Sequence, residues 1–266
     1  MTMIREPAVS DLFYPGDADS LESMVHGYLD AVAVEGNPPK ALIVPHAGFI
    51  YSGPIAASAY ARLAEVAGRI KQVVLLGPSH RVPFLGLAVT EADYFRTPLG
   101  DIAINRQALE ALQQLPQVVR LEAAHAQEHS LEVQLPFLQS VLHDFDLIPL
   151  VVGDASGDQV AEVLAQVWGG EETLIVISSD LSHYHDYATA QRMDRATSDA
   201  ILALHPEDLG YEDACGRIPV QGLLLQARRQ GLQGELIDLR NSGDTAGSRD
   251  QVVGYGAYAF SGSGAA

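Results

Sequence analysis

Three short apolar runs, each followed closely by a histidine, constrain the fold of this chain more than any other feature. The runs and their histidines are Ala41–Val44 with His46, Val73–Leu76 with His80, and Leu174–Ile177 with His183. Continuous apolar runs of this length are typical of strands that are buried on both faces. Helical patterns alternate with them, which predicts an α/β fold with a mostly parallel or mixed central sheet and helices on both faces. Because ligands bind at the carboxyl ends of strands in such sheets, we expect the three histidines to converge on one site.

The composition is that of one globular domain with an acidic surface. With 266 residues, 47% of them hydrophobic, the chain can form a single α/β domain over residues 1–266, with an ordered core over about 10–260. Sixteen Lys and Arg against 34 Asp and Glu give a net charge of −18, which argues against nucleic acid or an anionic membrane as a partner. The chain begins without a basic and apolar leader, and no apolar run is long enough to span a bilayer, so a cytoplasmic location is expected.

Several elements between the histidines are predicted from local patterns. Apolar residues at helical spacing predict a helix over Pro54–Ala67. Leu85–Thr90 and Asp101–Ile104 have strand character and are expected to form a hairpin-like excursion from the sheet. Ser130 is expected to cap a helix that Pro136 then kinks, because proline cannot donate a helical hydrogen bond.

Imidazole and thiolate side chains make a metal site the most informative chemical interpretation. His46 and His80 are candidate ligands, and Cys215, the single cysteine, is the candidate third. A thiolate ligand shifts metal preference towards copper(I), zinc or iron. On the structural alternative, the histidines serve in turns or caps and Cys215 is a small buried hydrophobe. Cys215 precedes a helix predicted over Val220–Arg229, which is expected to lower the thiol pKa and also leaves a nucleophilic role open.

A second group of residues suggests proton transfer. His183, oriented by a carboxylate such as Asp180, is a candidate general base or acid, or else a further metal ligand. His185 would share a face with His183 in an extended segment and is expected to play a supporting or structural role. Glu128 and His129 form a similar pair, for which capping of a helix N-terminus is the alternative.

Six motifs, taken together and in order, resemble a known family. They are Val44–Gly48, Tyr51–Gly53, Gly77–His80, Glu128–Glu132, Ser178–His183 and Cys215–Arg217. The chain resembles the Memo family over about residues 38–260, including the bacterial and archaeal members called AmmeMemoRadiSam system protein B. The resemblance implies an α/β fold similar to class III extradiol ring-cleaving dioxygenases, whose non-haem iron is held by two histidines and a glutamate.

The resemblance also implies roles for particular residues. His46 and His80 match the histidine ligands, Cys215 stands where those dioxygenases have the glutamate, and His183 matches their catalytic histidine, with Asp180 in the same motif. The residues expected to line or support the pocket are Tyr51, Glu128, His129, His185 and Arg217.

Two functions are compatible with the resemblance. One is a non-haem iron- or copper-dependent oxidoreductase, with Fe²⁺ as the expected ion, copper as the alternative and zinc as an ion that purified protein could carry. The thiolate in place of glutamate argues against ring cleavage. The other function is a non-catalytic module that uses the same pocket to bind a peptide or protein. The implied partners are a small molecule or peptide and, in the second case, radical SAM and AMMECR-type proteins.

Overall fold

The structure is a computed structural model that describes residues 2–262, so the predicted domain of residues 1–266 extends outside the described residues at both ends. The helices are α1 (Ala18–Leu29), α2 (Phe49–Tyr60), α3 (Arg106–Leu112), α4 (Glu122–Ala126), α5 (His129–Glu132), α6 (Leu135–Val141), α7 (Gly157–Val167), α8 (Tyr187–Leu202) and α9 (Arg217–Gln230). The strands are β1 (Ile4–Arg5), β2 (Ala41–Val44), β3 (Gln72–Pro78), β4 (Leu87–Val89), β5 (Tyr94–Thr97), β6 (Gly100–Ala103), β7 (Val118–Arg120), β8 (Asp146–Val152), β9 (Thr173–Ser178), β10 (His183–His185), β11 (Leu232–Asn241) and β12 (Val252–Gly262).

Four parallel strands form the centre of the main sheet. They are neighbours in the order β2, β9, β3, β8, with Val44 opposite Ser178 and Pro78 opposite Val152. All of their residues are buried except the first residue of β3 and of β8, as expected for strands covered on both faces. Because the four strands run in the same direction, their carboxyl ends lie along one edge of the sheet.

Strands of mixed direction extend this centre on both sides. β12 is antiparallel to β2 and also pairs with β10 and β11, while β4 is antiparallel to β8 and pairs with β7. A separate sheet contains β1, β5 and β6, and its hairpin places Thr97 opposite Gly100. The predicted pairing of Leu85–Thr90 with Asp101–Ile104 is therefore wrong. The three residues of β4 are fully buried, and this strand pairs with β8 in the main sheet. The hairpin partner of β6 is β5.

The helices cover both faces of the main sheet, which confirms the predicted fold class. α1, α2 and α6 pack on one another, and α2 contacts β2, β11 and β12. α7 packs on α9, which contacts β3, β9 and β11. Among residues 2–262, none of the helices combines the length and the apolar character needed to cross a bilayer.

Two predicted helices differ from the structure at a proline. α2 begins at Phe49, five residues before the predicted start at Pro54, because Phe49 is buried in the core and continues the apolar face. Pro54 cannot donate the helical hydrogen bond of its position, but the helix continues through it to Tyr60. The kink predicted at Pro136 is wrong, since this proline lies in the first turn of α6, where it is tolerated. Ser130 does not cap a helix; the cap of α5 is the side chain of Glu128.

Candidate metal centre

The parallel strands deliver three of the predicted site residues to one place. His46, His80 and Asp180 each lie two residues beyond the end of a central strand, β2, β3 and β9 respectively. The imidazole rings of His46 and His80 are 5.2 Å apart between centroids and nearly perpendicular. His183, in β10, faces the same cleft. The structure thus brings the three strand-end histidines together.

Cys215 reaches this edge from the loop before α9. Its Sγ lies 3.3 Å from His46 Nε2 and accepts a hydrogen bond from the backbone N–H of Asp180 at 3.3 Å. The next residue, Gly216, allows this approach, since a Cβ at that position would lie 2.6 Å from the Cβ of Ser179 and 2.8 Å from the carbonyl oxygen of Ser178. The Cys-Gly pair therefore places a thiol against the end of β9.

One atom from each of His46, His80 and Cys215 lies within 4.8 Å of the others. A second group with this property contains His80, Glu128 and His129. In this second group the Glu128 carboxylate already accepts hydrogen bonds. The group of His46, His80 and Cys215 therefore has more atoms available to bind a metal. Two imidazole nitrogens and a sulfur form a donor set that fits zinc, iron or copper.

Glu128 fixes the orientation of His80. Its Oε1 accepts from His80 Nδ1 at 2.8 Å and from the backbone N–H of Ser130 at 2.9 Å, and its Oε2 accepts from the backbone N–H of His80 at 2.6 Å. Burial would raise the pKa of Glu128, but the hydrogen bonds from His80 and Ser130 and the electrostatic interaction with His80 outweigh it and lower the pKa to about 2. Because a carboxylate only accepts, His80 carries its proton on Nδ1 and leaves Nε2 free for a metal.

The orientation of His46 follows from counting the protons of Ser178. The Ser178 hydroxyl donates its single proton to the carbonyl oxygen of Ser130 at 2.6 Å. The same oxygen therefore accepts from Gln134 Nε2 at 2.8 Å and from His46 Nδ1 at 2.9 Å. His46 thus carries its proton on Nδ1, and the lone pair of Nε2 points towards Cys215.

Gln134 anchors this arrangement in the core. Its Nε2 also donates to the carbonyl oxygen of Pro45 at 2.9 Å, and its Oε1 accepts from the Tyr60 hydroxyl at 2.9 Å. Gln134 and Tyr60 are both buried, which makes every hydrogen bond of the network hard to replace by water. Sequence reasoning missed Gln134, because a polar residue inside an apolar helical pattern has no recognisable spacing signal, and it named Ser178 only as part of the Ser178–His183 motif.

The remaining imidazole, His129, borders both ligand candidates. Its ring stacks on His80 at 4.5 Å and meets His46 edge-on at 5.5 Å. His129 Nδ1 lies 3.4 Å from Glu128 Oε1 without hydrogen-bond alignment, and it is buried with no other partner among residues 2–262. Burial and the neighbouring imidazoles lower the pKa of His129 to about 4 and that of His46 to about 3. Both rings are neutral, the form that can donate a lone pair to a metal.

The prediction that a helix N-terminus lowers the thiol pKa of Cys215 is wrong for the metal-free protein. Burial, reinforced by the nearby Asp180 carboxyl, raises the pKa of the thiol, although N–H groups of Asp180 and Gly216 act in the opposite direction. Burial also raises the pKa of Asp180. Cys215 is therefore a thiol until a cation compensates the charge of the thiolate, which makes a free nucleophilic thiolate a poor interpretation.

His183 is oriented by a different group from the one predicted. Its Nδ1 lies 2.8 Å from the carbonyl oxygen of Leu181, whereas Asp180 Oδ1 accepts from the backbone N–H of His46 at 2.7 Å. A carbonyl only accepts, so His183 Nδ1 is protonated and Nε2 is the free, basic nitrogen. Asp180 supports the loop of His46 and does not bind His183.

The candidate centre opens into a cleft of about 680 Å³. The cleft is lined by five titratable side chains, those of His46, His80, His129, Asp180 and His183. Its other lining residues are Leu12, Phe13, Ala47, Gly48, Tyr51, Tyr184, Ser242, Gly247, Gln251, Val253 and Tyr255. His46 is 2% exposed, whereas 29% of the His80 side chain is accessible. The walls supplied by the N-terminal segment and by β12 carried no sequence signal for a site.

A side chamber of about 390 Å³ adjoins the cleft and shares His80, His183 and Tyr184 with it. Arg217 lines this chamber and a further cavity of about 550 Å³, with its guanidinium carbon 5.6 Å from the centroid of the Tyr211 ring. Tyr51 lies in the cleft wall as expected. His185 does not line the cleft, because a bulge separates it from His183.

The fold and the cluster define an α/β protein with a candidate His–His–Cys metal centre at the carboxyl edge of a mixed sheet. A family model described as Memo-like protein matches residues 5–259. The chain is 37% identical over 263 residues to a MEMO1 family protein of Aquifex aeolicus, covering 95% of this chain and 97% of that protein. MEMO1 family proteins of Nitrosopumilus maritimus and Ignicoccus hospitalis are 32% and 34% identical, each covering 97% of this chain and 100% and 99% of the relative. The chain belongs to the Memo family.

A solved structure shares the fold at low identity. The uncharacterized protein JW3007 from Escherichia coli K12 matches with a TM-score of 0.54 and 14% identity, covering 81% of this chain and 98% of that one. At this identity the similarity concerns the fold alone.

Proposed function

We propose that this protein is a metal-dependent oxidoreductase that binds Fe²⁺ through His46, His80 and Cys215, with copper as the alternative ion. The observation that carries the proposal is the convergence of the three donors, with both imidazoles oriented by separate hydrogen bonds so that Nε2 is free. Three protein ligands leave coordination positions open, as in catalytic centres. A redox metal held in this way supplies electron transfer and activation of a small molecule.

The protein residues around the centre define what they do to a ligand in the cleft. His183 Nε2 is free and faces the cleft, so this side chain can accept a proton from a bound molecule and return it. Phe13, Tyr51 and Tyr255 also line the cleft, and their rings offer a bound ligand apolar surface to pack against.

The charges of the centre support a divalent ion. Glu128 accepts three hydrogen bonds and carries a negative charge beside His80. A divalent ion with a Cys215 thiolate has a net charge of +1, which Glu128 balances. Copper(I) with the same thiolate is neutral and adds no attraction for the Glu128 carboxylate, which its hydrogen bonds already stabilise. Asp180 also lines the cleft, and burial raises its pKa, which disfavours a further negative charge beside the centre.

Anaerobic purification followed by metal analysis and absorption spectroscopy tests the proposal. We expect one redox metal per chain and a thiolate-to-metal charge-transfer band that is lost in Cys215→Ala. His26→Ala is the matched control, since His26 lies half-exposed on α1 away from the cleft, and it should keep metal and band. Protein that takes up no stoichiometric redox metal, with Cys215→Ala unchanged, would refute the proposal.

A second candidate function, a module that binds another protein, is favoured by exposed apolar side chains along the connected cavities. Four large hydrophobic residues there are at least 70% exposed, namely Leu12, Leu85, Tyr184 and Tyr211. Exposed apolar residues grouped in this way are typical of interaction sites. The candidate partners are a radical SAM protein and an AMMECR-type protein.

Pull-down with each purified candidate partner separates the two functions. If the protein is a binding module, the His46→Ala variant should still bind the partner and the Leu85→Asp variant should bind less of it. Val34→Asp is the control, because Val34 is also an exposed apolar residue but does not line these cavities. Retention of the partner by Leu85→Asp, or its loss in Val34→Asp, would contradict the module interpretation.

A further inference from the structure

Tyr184 has an unusual backbone conformation beside the candidate centre. Its φ angle is +60°, in the left-handed region that is unfavourable for residues with a side chain. Among the described residues, Asp11 and Leu204 are the other non-glycine residues with positive φ. Each of these two has a local reason for its conformation. Asp11 accepts a hydrogen bond from the backbone of Gly16, and Leu204 follows the last turn of α8 and packs partly buried against the core.

Neither reason applies to Tyr184. Its side chain is 70% exposed and its hydroxyl makes no hydrogen bond to a residue within 2–262. Among residues 2–262, the one aromatic ring beside it is that of His183, edge-on at 5.8 Å between centroids. The side chain thus adds little to folding, while the backbone conformation opposes it.

The conformation has a clear effect on where the ring lies. Tyr184 is the extra residue of a bulge in β10, where His183 pairs with Val253 and His185 with Val252. The bulge directs the ring to the mouth of the cleft, where it lines both the cleft and the side chamber. A strained and solvent-exposed aromatic residue that borders two cavities points to a ligand as its partner.

We infer that Tyr184 is a specificity-determining residue whose ring stacks on a flat, uncharged aromatic group of the ligand, next to His183. Aromatic rings also occur in the facing walls, at Phe13, Tyr51 and Tyr255. The described residues that line the cleft include no lysine or arginine to bind an anionic group, and Arg217 in the adjoining side chamber lies with its guanidinium over the Tyr211 ring. The inference places a ligand in the cleft of the proposed function but does not require the metal.

Binding of 2-naphthol and of its saturated counterpart decahydro-2-naphthol by the full chain tests the inference, because the two probes share the hydroxyl and differ in flatness. By calorimetric titration, wild-type protein should prefer 2-naphthol by roughly two- to tenfold, the range expected for an aromatic pair. Tyr184→Phe should keep this preference and Tyr184→Gly should lose it. A preference that persists in Tyr184→Gly, or that is absent from the wild type, overturns the inference.

Thermal unfolding separates a ligand-binding role from a structural one. Glycine accepts positive φ, so the melting temperature of Tyr184→Gly should not fall below that of the wild type. Leu204→Gly is the matched control at a similar φ and should melt lower, because it loses a packed side chain. A decrease in melting temperature for Tyr184→Gly that is as large as the decrease for Leu204→Gly overturns the inference. Metal content is measured on every sample, so absence of metal from all of them counts against the proposed function and not against the role of Tyr184.

Discussion

Replacement of Glu128 by glutamine tests how the protein prepares His80 for a metal. In the wild type, one carboxylate oxygen accepts from His80 Nδ1 and from the backbone of Ser130, and the other accepts from the backbone N–H of His80 at 2.6 Å. Glutamine has the same shape but only one accepting oxygen. If that oxygen keeps the first two partners, its NH₂ group faces the backbone N–H of His80, and two donors then meet in a buried position.

The magnitude follows from the lost contacts. A hydrogen bond to a charged group contributes about 1.5–3 kcal/mol, and a buried N–H without a partner adds a penalty of similar size. We therefore expect Glu128→Gln to lower the free energy of unfolding by roughly 2–4 kcal/mol. Loss of a carboxylate that orients a ligating histidine weakens metal affinity by roughly 10- to 100-fold.

Competition between the protein and a chromophoric chelator for Zn²⁺ measures the affinity, and urea denaturation of the metal-free proteins measures the stability. Glu122→Gln is the matched control, because Glu122 also accepts hydrogen bonds from a side chain and a backbone N–H, those of Thr90 and Glu91, away from the cleft. The Glu122→Gln variant should have a lower free energy of unfolding than the wild type and an unchanged affinity for Zn²⁺. A Glu128→Gln protein that folds and binds Zn²⁺ within threefold of the wild type would refute the role of Glu128, as would an equal loss of affinity in the control.

Three further substitutions test other parts of the structure. Gln134→Leu leaves buried hydrogen-bonding groups behind His46 without partners. Urea denaturation should therefore show a free energy of unfolding lower by about 3 kcal/mol, and chelator competition should show a weaker affinity for Zn²⁺. Arg5→Met leaves the buried carboxylate of Glu132 without its ion-pair partner and should lower the free energy of unfolding by roughly 3–5 kcal/mol, again in urea. Burial raises the pKa of Asp194, so its ionised form destabilises the fold once the pH exceeds that pKa. Asp194→Asn should therefore melt higher than the wild type at pH 7, with a difference that narrows as the pH falls through the raised pKa.

Strand ends and their histidines were predictable from the sequence because a buried parallel strand has a strong local signature. Ala41–Val44 and Leu174–Ile177 are fully buried, and their parallel pairing is what brings the residues after them together. Cys215 was a candidate third ligand from its thiol chemistry alone, and the resemblance to the Memo family supported its location beside His46. No pattern within residues 215–217 indicates that the loop lies against the end of β9.

Features that depend on long-range contacts were not predictable in the same way. The strand β10 is three residues long and exists because β12 pairs with it, so its bulge at Tyr184 has no local signal. The start of α2 at Phe49 was misplaced because tertiary burial of Phe49, and not the proline at position 54, decides where this helix begins. The thiol pKa of Cys215 was predicted with the wrong sign, since burial outweighs the short-range effect of a helix N-terminus.

The two ligand candidates differ in what lies behind them, and this difference has a chemical consequence. His80 donates to a carboxylate, whereas His46 donates to a serine hydroxyl that is itself held by Gln134 and by the carbonyl of Ser130. A negatively charged acceptor makes an imidazole a stronger electron donor than a neutral acceptor does. His80 is also the more accessible of the two. His80 is therefore the ligand whose bond to the metal the protein strengthens by charge, while His46 is the ligand whose position it fixes by packing.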